Sequence, residues 1–325
     1  MAKQKIEEGS HAADPSFRIT VTAEGPYLVY GRPPLAMQFI MPNEMGESWY
    51  FQEGRHFSTE AEPTALCRCG RSHTKPYCDG EHRHTKWDAR LTADTNGLLD
   101  NIEITSGEKI SITDNSKFCV FARFCDAASG VWNLAEHDED RIARRLAIRG
   151  AKMCPSGRLL AWDNATEQPY EPDFEPSLGL IEDDAIGASG GLWVRGGIRI
   201  EREDGRPYEI RNRSVLCRCG GSGNKPYCDG SHASARWRDE LEGIPEGATT
   251  PEEVYYRLKR REVIRHTRQP LSISRPNPLS TISSESHARK GHSLGTYRNQ
   301  SAEHNVHASR VHNCYISSAT YPRQV

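Results

Sequence analysis

Two short stretches of the chain carry sulfur and imidazole at spacings that suit metal binding. Cys67 and Cys69 are one residue apart, so on extended backbone both side chains project to the same side and can chelate one metal ion together. Cys78 and His82 need a different geometry. Pro76 interrupts any earlier helix, Asp79 is a good N-cap, and a helix starting there places positions 78 and 82 on one face, able to hold a second metal. Free N–H groups at such a helix start, with Lys75 close by, favour an anion such as sulfide. The same set returns as Cys217, Cys219, Cys228 and His232, with Lys225 in the place of Lys75. Three thiolates and one imidazole fit either a single tetrahedral zinc or a two-iron, two-sulfide cluster whose irons take two protein ligands each. Common zinc sites use two widely separated ligand pairs, unlike this compact hook.

The elements that position these hooks repeat as well. The run Gly25-Pro26-Tyr27-Leu28-Val29-Tyr30-Gly31 pairs with Gly190-Gly191-Leu192-Trp193-Val194-Arg195-Gly196, each an apolar strand bounded by glycine. Alternation at Ile19 and Val21, and again at Ile198 and Ile200, adds short strands, so each unit reads as a small β layer followed by a cysteine-rich loop. Between the repeats, a strand signal at Lys109 to Thr113 and a helix signal at Ile142, Leu146 and Met153 mark a separate unit holding Cys119, Cys125 and Cys154. A chain of 325 residues is long enough for two or three such units, and its 36% hydrophobic content suits a soluble protein with generous loops. No apolar run approaches bilayer length: Ile142 to Ile148 is broken by Arg144 and Arg145. The start of the chain lacks the apolar core of a secretory signal, so the cytoplasm is expected. Ten cysteines in such a chain point to metal or redox work rather than disulfides, and a net charge of −2 gives no footprint for nucleic acid.

Both segments, Cys67 to His82 and Cys217 to His232, resemble the CDGSH iron-sulfur domain of the NEET proteins. That resemblance implies a [2Fe-2S] cluster with Cys67 and Cys69 on the inner iron and Cys78 and His82 on the outer one. Cys217, Cys219, Cys228 and His232 follow suit. Ser72 and Ser222 stand where the family has a hydroxyl, and are expected to hydrogen-bond a cluster sulfur. Glu81 departs from the usual small residue; its carboxylate is expected to disfavour the reduced cluster and raise the proton affinity of His82. Tandem motifs resemble single-chain members in which two halves pack as a pseudo-dimer, a β cap above two cluster lobes. The stretch Cys119-Val120-Phe121-Ala122-Arg123-Phe124-Cys125 with Cys154-Pro155 resembles the divergent mono-cluster ferredoxin domain, with Ala122 in the place of one cysteine. Three thiolates suit a [3Fe-4S] cluster, whereas a [4Fe-4S] cluster needs Asp126, His137 or solvent as a fourth ligand. Three buried cysteines acting as small hydrophobes are the plain alternative.

The expected organisation is α+β: a flexible start (1–16), a first cluster unit (17–97), a ferredoxin-like unit (107–165), a second cluster unit (186–245) and a basic, unfolded tail (255–325) that includes Cys314. Trp87 and Trp237, equally spaced after the two histidines, read first as packing and second as cluster shielding. His73 and His84 are candidate proton relays. No phosphate-binding glycine loop occurs at Gly187, Gly190 or Gly191, so nucleotide and flavin sites are not expected. The expected function is an electron carrier or cluster donor rather than an enzyme. It would act as a monomer with a redox partner protein or an apo iron-sulfur acceptor, and without nucleic acid or membrane. A zinc-stabilised interaction module and a relay component of a redox enzyme are the rivals.

Overall fold

Alternating burial along the early strands follows the sequence pattern, with Ile19, Val21, Tyr27 and Val29 turned inward. The computed structural model describes residues 13–242 apart from Thr95. The first twelve residues, and the tail with Cys314, lie outside them.

Among the described residues twelve strands run in chain order: β1 (Arg18–Val21), β2 (Tyr27–Tyr30), β3 (Leu35–Pro42), β4 (Ser48–Phe57), β5 (Thr64–Leu66), β6 (Glu103–Ser106), β7 (Ile110–Asp114), β8 (Leu159–Asp163), β9 (Ser177–Asp183), β10 (Ala188–Arg195), β11 (Arg199–Arg202) and β12 (Arg213–Leu216). Three helices join them: α1 (Val131–Glu136), α2 (Arg141–Met153) and α3 (Ser231–Ser234).

The two halves exchange strands. One sheet has the order β11-β1-β2-β5, the other β12-β10-β9-β3-β4. In the first, β11 of the second half lies parallel to β1 in the register Ile19↔Ile200. In the other, β3 of the first half lies parallel to β9 in the register Met37↔Leu180. Each half therefore gives its third strand to the sheet of the other, which is the pseudo-dimer expected from the repeat. The unit boundaries drawn along the chain consequently do not bound the sheets. One core spans both halves, with Ile19, Val29 and Leu66 packed among Leu180, Leu192, Ile200 and Leu216. Separating the halves would expose this apolar surface, so they fold as one body.

Strand β4, hairpinned to β3, has no counterpart in the second half. It extends the second sheet. The middle unit is a three-stranded antiparallel sheet, β6-β7-β8, covered by α1 and α2. Helix α2 lies where the sequence places it, yet its inward face is Ala147, Gly150 and Ala151, while Ile142 is 68% exposed. Small residues let the helix approach closely: a Cβ on Gly150 would strike Val131 of α1. Fully buried Asp138 braces the unit by accepting the backbone N–H groups of Glu108, Lys109 and Ile110 at 3.1, 2.7 and 2.6 Å. Arg123 pairs with Asp183 at 2.6 Å, and Phe51 of β4 stacks on Phe124 at 4.8 Å, so the middle unit sits on the second sheet. Among the described residues no helix is long and apolar enough to cross a membrane.

Candidate metal centres

Each hook is closed by a short antiparallel bridge. Cys67 N–H donates to the Pro76 carbonyl at 2.8 Å and Cys78 N–H to Ala65 at 2.9 Å; Cys217 to Pro226 and Cys228 to Val215 repeat both distances. The bridge Leu66↔Tyr77, matched by Leu216↔Tyr227, sets the sulfurs of one limb facing those of the other. Asp79 ties the loop: its Oδ2 accepts His73 N–H at 2.7 Å and its Oδ1 accepts Glu81 N–H at 3.0 Å. Asp229 does the same with Gly223 and Ser231. The aspartate is thus a buckle. Gly80 (φ 92°) and Gly230 (φ 84°) hold the N-cap positions that the sequence assigned to it, because only glycine takes that left-handed turn without strain. The helical segment that follows is short, a 3-10 turn over Glu81–Arg83 in the first half and the single turn α3 in the second.

Within each hook the donors come in twos. Cys67 and Cys69 sulfurs lie 3.8 Å apart, and Cys78 Sγ is 3.4 Å from His82 Nδ1. The second half gives 3.8 Å for Cys217 and Cys219, and 3.3 Å for Cys228 and His232 Nδ1. Among the described residues, no three His, Cys, Asp or Glu side chains converge on a point that could hold a single metal ion. A mononuclear tetrahedral zinc needs such convergence, whereas a two-iron centre needs one pair per iron. The donor chemistry also fits a cationic centre. The hydrogen bond from Cys69, and then N–H groups of Ser72, Gly70 and Arg71, draw Cys67 down to about 6, while Cys69 is raised by the same sulfur bond. In the second half the roles reverse, with Cys219 lowered and Cys217 raised. Burial pushes Cys78 and Cys228 up, and charge on Cys67 or Cys217 pushes them further. Three thiolates held together repel as bare anions, and a bound cation relieves that repulsion.

The second-half hook is covered and the first is open. His232 is 4% exposed, and burial, helped by Arg218, draws its imidazole down from 6.5 to about 4. His82 is only partly buried and moves in the same direction, through loss of water and then the charges of Arg83 and Arg68. The ring therefore moves down, against the raising expected from Glu81. Cys78 and His82 line a broad cleft of about 1890 Å³, shared with Lys86, Trp87 and Arg202 of the exchanged strand.

The hydroxyls of Ser72 and Ser222 are engaged within their own loops: each donates to the carbonyl of Tyr77 or Tyr227 at 2.7 Å and accepts an N–H two residues on. Their single hydroxyl hydrogens are committed, so these serines brace the loop. Lys225 is 3% exposed and its ammonium donates to the Ser222 carbonyl, whereas Lys75 is partly exposed. Trp87 and Trp237 stack over Arg68 and Arg218 at 4.6 and 5.3 Å, the packing role. His73 lies 3.4 Å from Asp79 on the surface. Arg68 and Arg218, each repeated between two cysteines and both buried, went unused in the sequence reading, although the repeat itself was the signal.

In the middle unit, Phe121 (φ 57°) and Arg123 (φ 62°) adopt left-handed backbone, which winds residues 119–125 in the manner of anion-cradling loops. Charges on Cys154 and Cys119 both act on Cys125, so the three thiols are neighbours. Arg158, held to Asp114 by two hydrogen bonds, places its cation near Cys119 and Cys154. Asp126 lies 3.6 Å from Cys125 Sγ, while His137 Nδ1 sits 2.8 Å from the Asn133 carbonyl on its own helix. Asp126 thus lies against Cys125, while His137 is bonded back to its own helix. Backbone of Cys119 and Phe121 packs against Gly230, and Val120, Ala122 and Phe124 share a core with Cys228.

Residues 24–83 and 189–233 match the family described as iron-binding zinc finger, CDGSH type, and residues 105–164 match the divergent 4Fe-4S mono-cluster family. No curated protein and no solved structure matches the chain.

Proposed function

We propose that this chain, an iron-sulfur cluster-binding protein with two CDGSH-type iron-binding regions around a divergent 4Fe-4S mono-cluster region, moves electrons or whole clusters between partner proteins. Cys67, Cys69, Cys78 and His82 would hold one [2Fe-2S] cluster, and Cys217, Cys219, Cys228 and His232 a second. Cys119, Cys125 and Cys154 would hold a third cluster, [3Fe-4S] with these alone or [4Fe-4S] with Asp126 as the fourth ligand. The observation that carries this reading is the arrangement of each hook's donors as two close pairs with no three-donor focus.

When bound, such clusters supply reversible one-electron chemistry. The residues around them do the rest. Asp79 and Asp229 fix the loops, the covered second hook excludes water from His232, and the cleft beside His82 gives a partner access to the first hook. No substrate chemistry is assigned: the role is that of a carrier in the cytoplasm. The exchanged strands give one chain the paired architecture that would otherwise need two, which supports a monomeric working unit. A redox protein or an apo acceptor docking at the cleft is the expected partner.

The test is iron, zinc and acid-labile sulfide analysis of anaerobically purified full-length protein, with its visible spectrum. The proposal expects about two irons and two sulfides per hook plus three or four irons for the middle unit. A colourless protein with about one zinc per hook and no sulfide would reject it in favour of a zinc-stabilised interaction module.

A further inference from the structure

Arg68 and Arg218 occupy the same place between the two cysteines of each hook, and both are buried, but only one has a counter-ion. Arg68, 1% exposed, donates to four backbone carbonyls: Gly25, Ala89, Thr22 and Ala23. Among the described residues no carboxylate pairs with it. Arg218 donates to the Gly190 and Ile181 carbonyls and, where Arg68 meets two more carbonyls, to the carboxylates of Asp239 and Glu182. Counted from the first cysteine of each hook, Ala89 and Asp239 stand at the same position. One half therefore has a methyl where the other has a buried charge.

From this we infer that the two hooks are unequal electron acceptors, the first being reduced before the second because Arg68 is an uncompensated buried cation while Asp239 neutralises Arg218. The inference rests on the proposed [2Fe-2S] loading. Reduction adds one electron from a one-electron donor to a ferric pair, giving a ferric–ferrous pair with no bond made or broken, so the hook becomes more negative by one unit. A bare cation beside it favours that change and a neutral pair does not. The charge of Arg68 acts on His82 of the first hook and reaches Cys217 of the second as well as Cys69, while Arg218 acts on His232; what separates the hooks is the pair of carboxylates bonded to Arg218.

Other charges were weighed. Burial raises Glu182 to about 8, with its Oε2 accepting from Ser189, but Asp239, held low by Arg218, keeps the second-half cation paired whether or not Glu182 carries a proton. Lys225 adds a buried cation on that side, its ammonium held by the Ser222 carbonyl. Exposure works in the same sense, since the added negative charge is better solvated at the open cleft than against Cys119 and Phe121.

A stepwise dithionite titration of the full-length protein at controlled potential, followed by visible absorbance and electron paramagnetic resonance, tests this. Two separate one-electron steps are expected for the hooks, and where the earlier is half complete the later is reduced on the order of tenfold less. His82→Cys should displace the earlier step and so assign it. Asp239→Ala should bring the later step toward the earlier by about tenfold, and Ala89→Asp should delay the earlier one by a similar factor. Asp239→Asn gives the same direction with less disturbance, and Ala89→Asp leaves the second half intact should the others fail to fold. Coincident steps, a reversed order, or variants that leave their own step in place would overturn the inference. Iron and sulfide are measured on the same samples: hooks without sulfide defeat the proposed loading itself, whereas loaded hooks with coincident steps defeat only the inequality.

Discussion

Acidification should empty the two hooks in sequence, the first before the second. An imidazole binds iron only when unprotonated, so a proton competes effectively only once the pH approaches the ring's own pKa. For His232, burial moves that value from 6.5 to about 4, which corresponds to about 3 kcal/mol against protonation in place. His82 moves in the same direction but faces the cleft, where water can stabilise its charged form. At pH 5 the second hook should keep its cluster on a timescale over which the first loses it. In the metal-free protein the same shift makes folding stability depend on pH. Below 6.5 the unfolded chain takes up a proton at His232 that the folded chain refuses until about 4. Folding stability therefore falls by up to about 3 kcal/mol across that window and levels off below it. The assay is a rapid pH jump from 7.5 to 5 with visible absorbance as the readout. Two phases are expected for the hooks; His82→Cys should abolish the fast one, and His232→Cys should leave it. A single phase, or loss of the fast phase in His232→Cys, would refute the assignment of lability to burial.

Three further outcomes follow from the geometry. Gly70→Ala places a Cβ 2.5 Å from the Cys219 carbonyl at a φ of +76°, and should cost about 2–4 kcal/mol by chemical denaturation, as should Gly220→Ala, which meets the Cys69 carbonyl. Asp138→Ala strips three N–H groups of their acceptor, that of Ile110 buried, and should cost about 2–3 kcal/mol in the same measurement, with the signal of the middle cluster lost before those of the hooks. Ser222→Ala should lower stability by about 1 kcal/mol while leaving the reduction step of its hook unmoved; a displaced step would show that the hydroxyl reaches the cluster after all.

The hooks were legible in the sequence because their chemistry is local. Cys67 to His82 is one bridged loop, so spacing alone brings two sulfurs together and returns a third sulfur with an imidazole, and the repeat at Cys217 to His232 doubles the signal. Helix α2 and strands β1, β2, β7 and β10 were readable for the same reason, from alternation or periodicity within a few residues. Tertiary structure decided what depends on residues far apart in the chain. No local pattern states that β3 pairs with β9 while β11 pairs with β1, since either half could satisfy its own edge strand. Nor could spacing choose between Asp126 and His137, or show that the serine hydroxyls are occupied by Tyr77 and Tyr227. The inequality of the two hooks belongs wholly to that level. Their ligands are the same, and what differs is the solvent, the covering unit and the counter-charge that folding places around each, because electrostatic energy depends on distance and dielectric rather than on order along the chain.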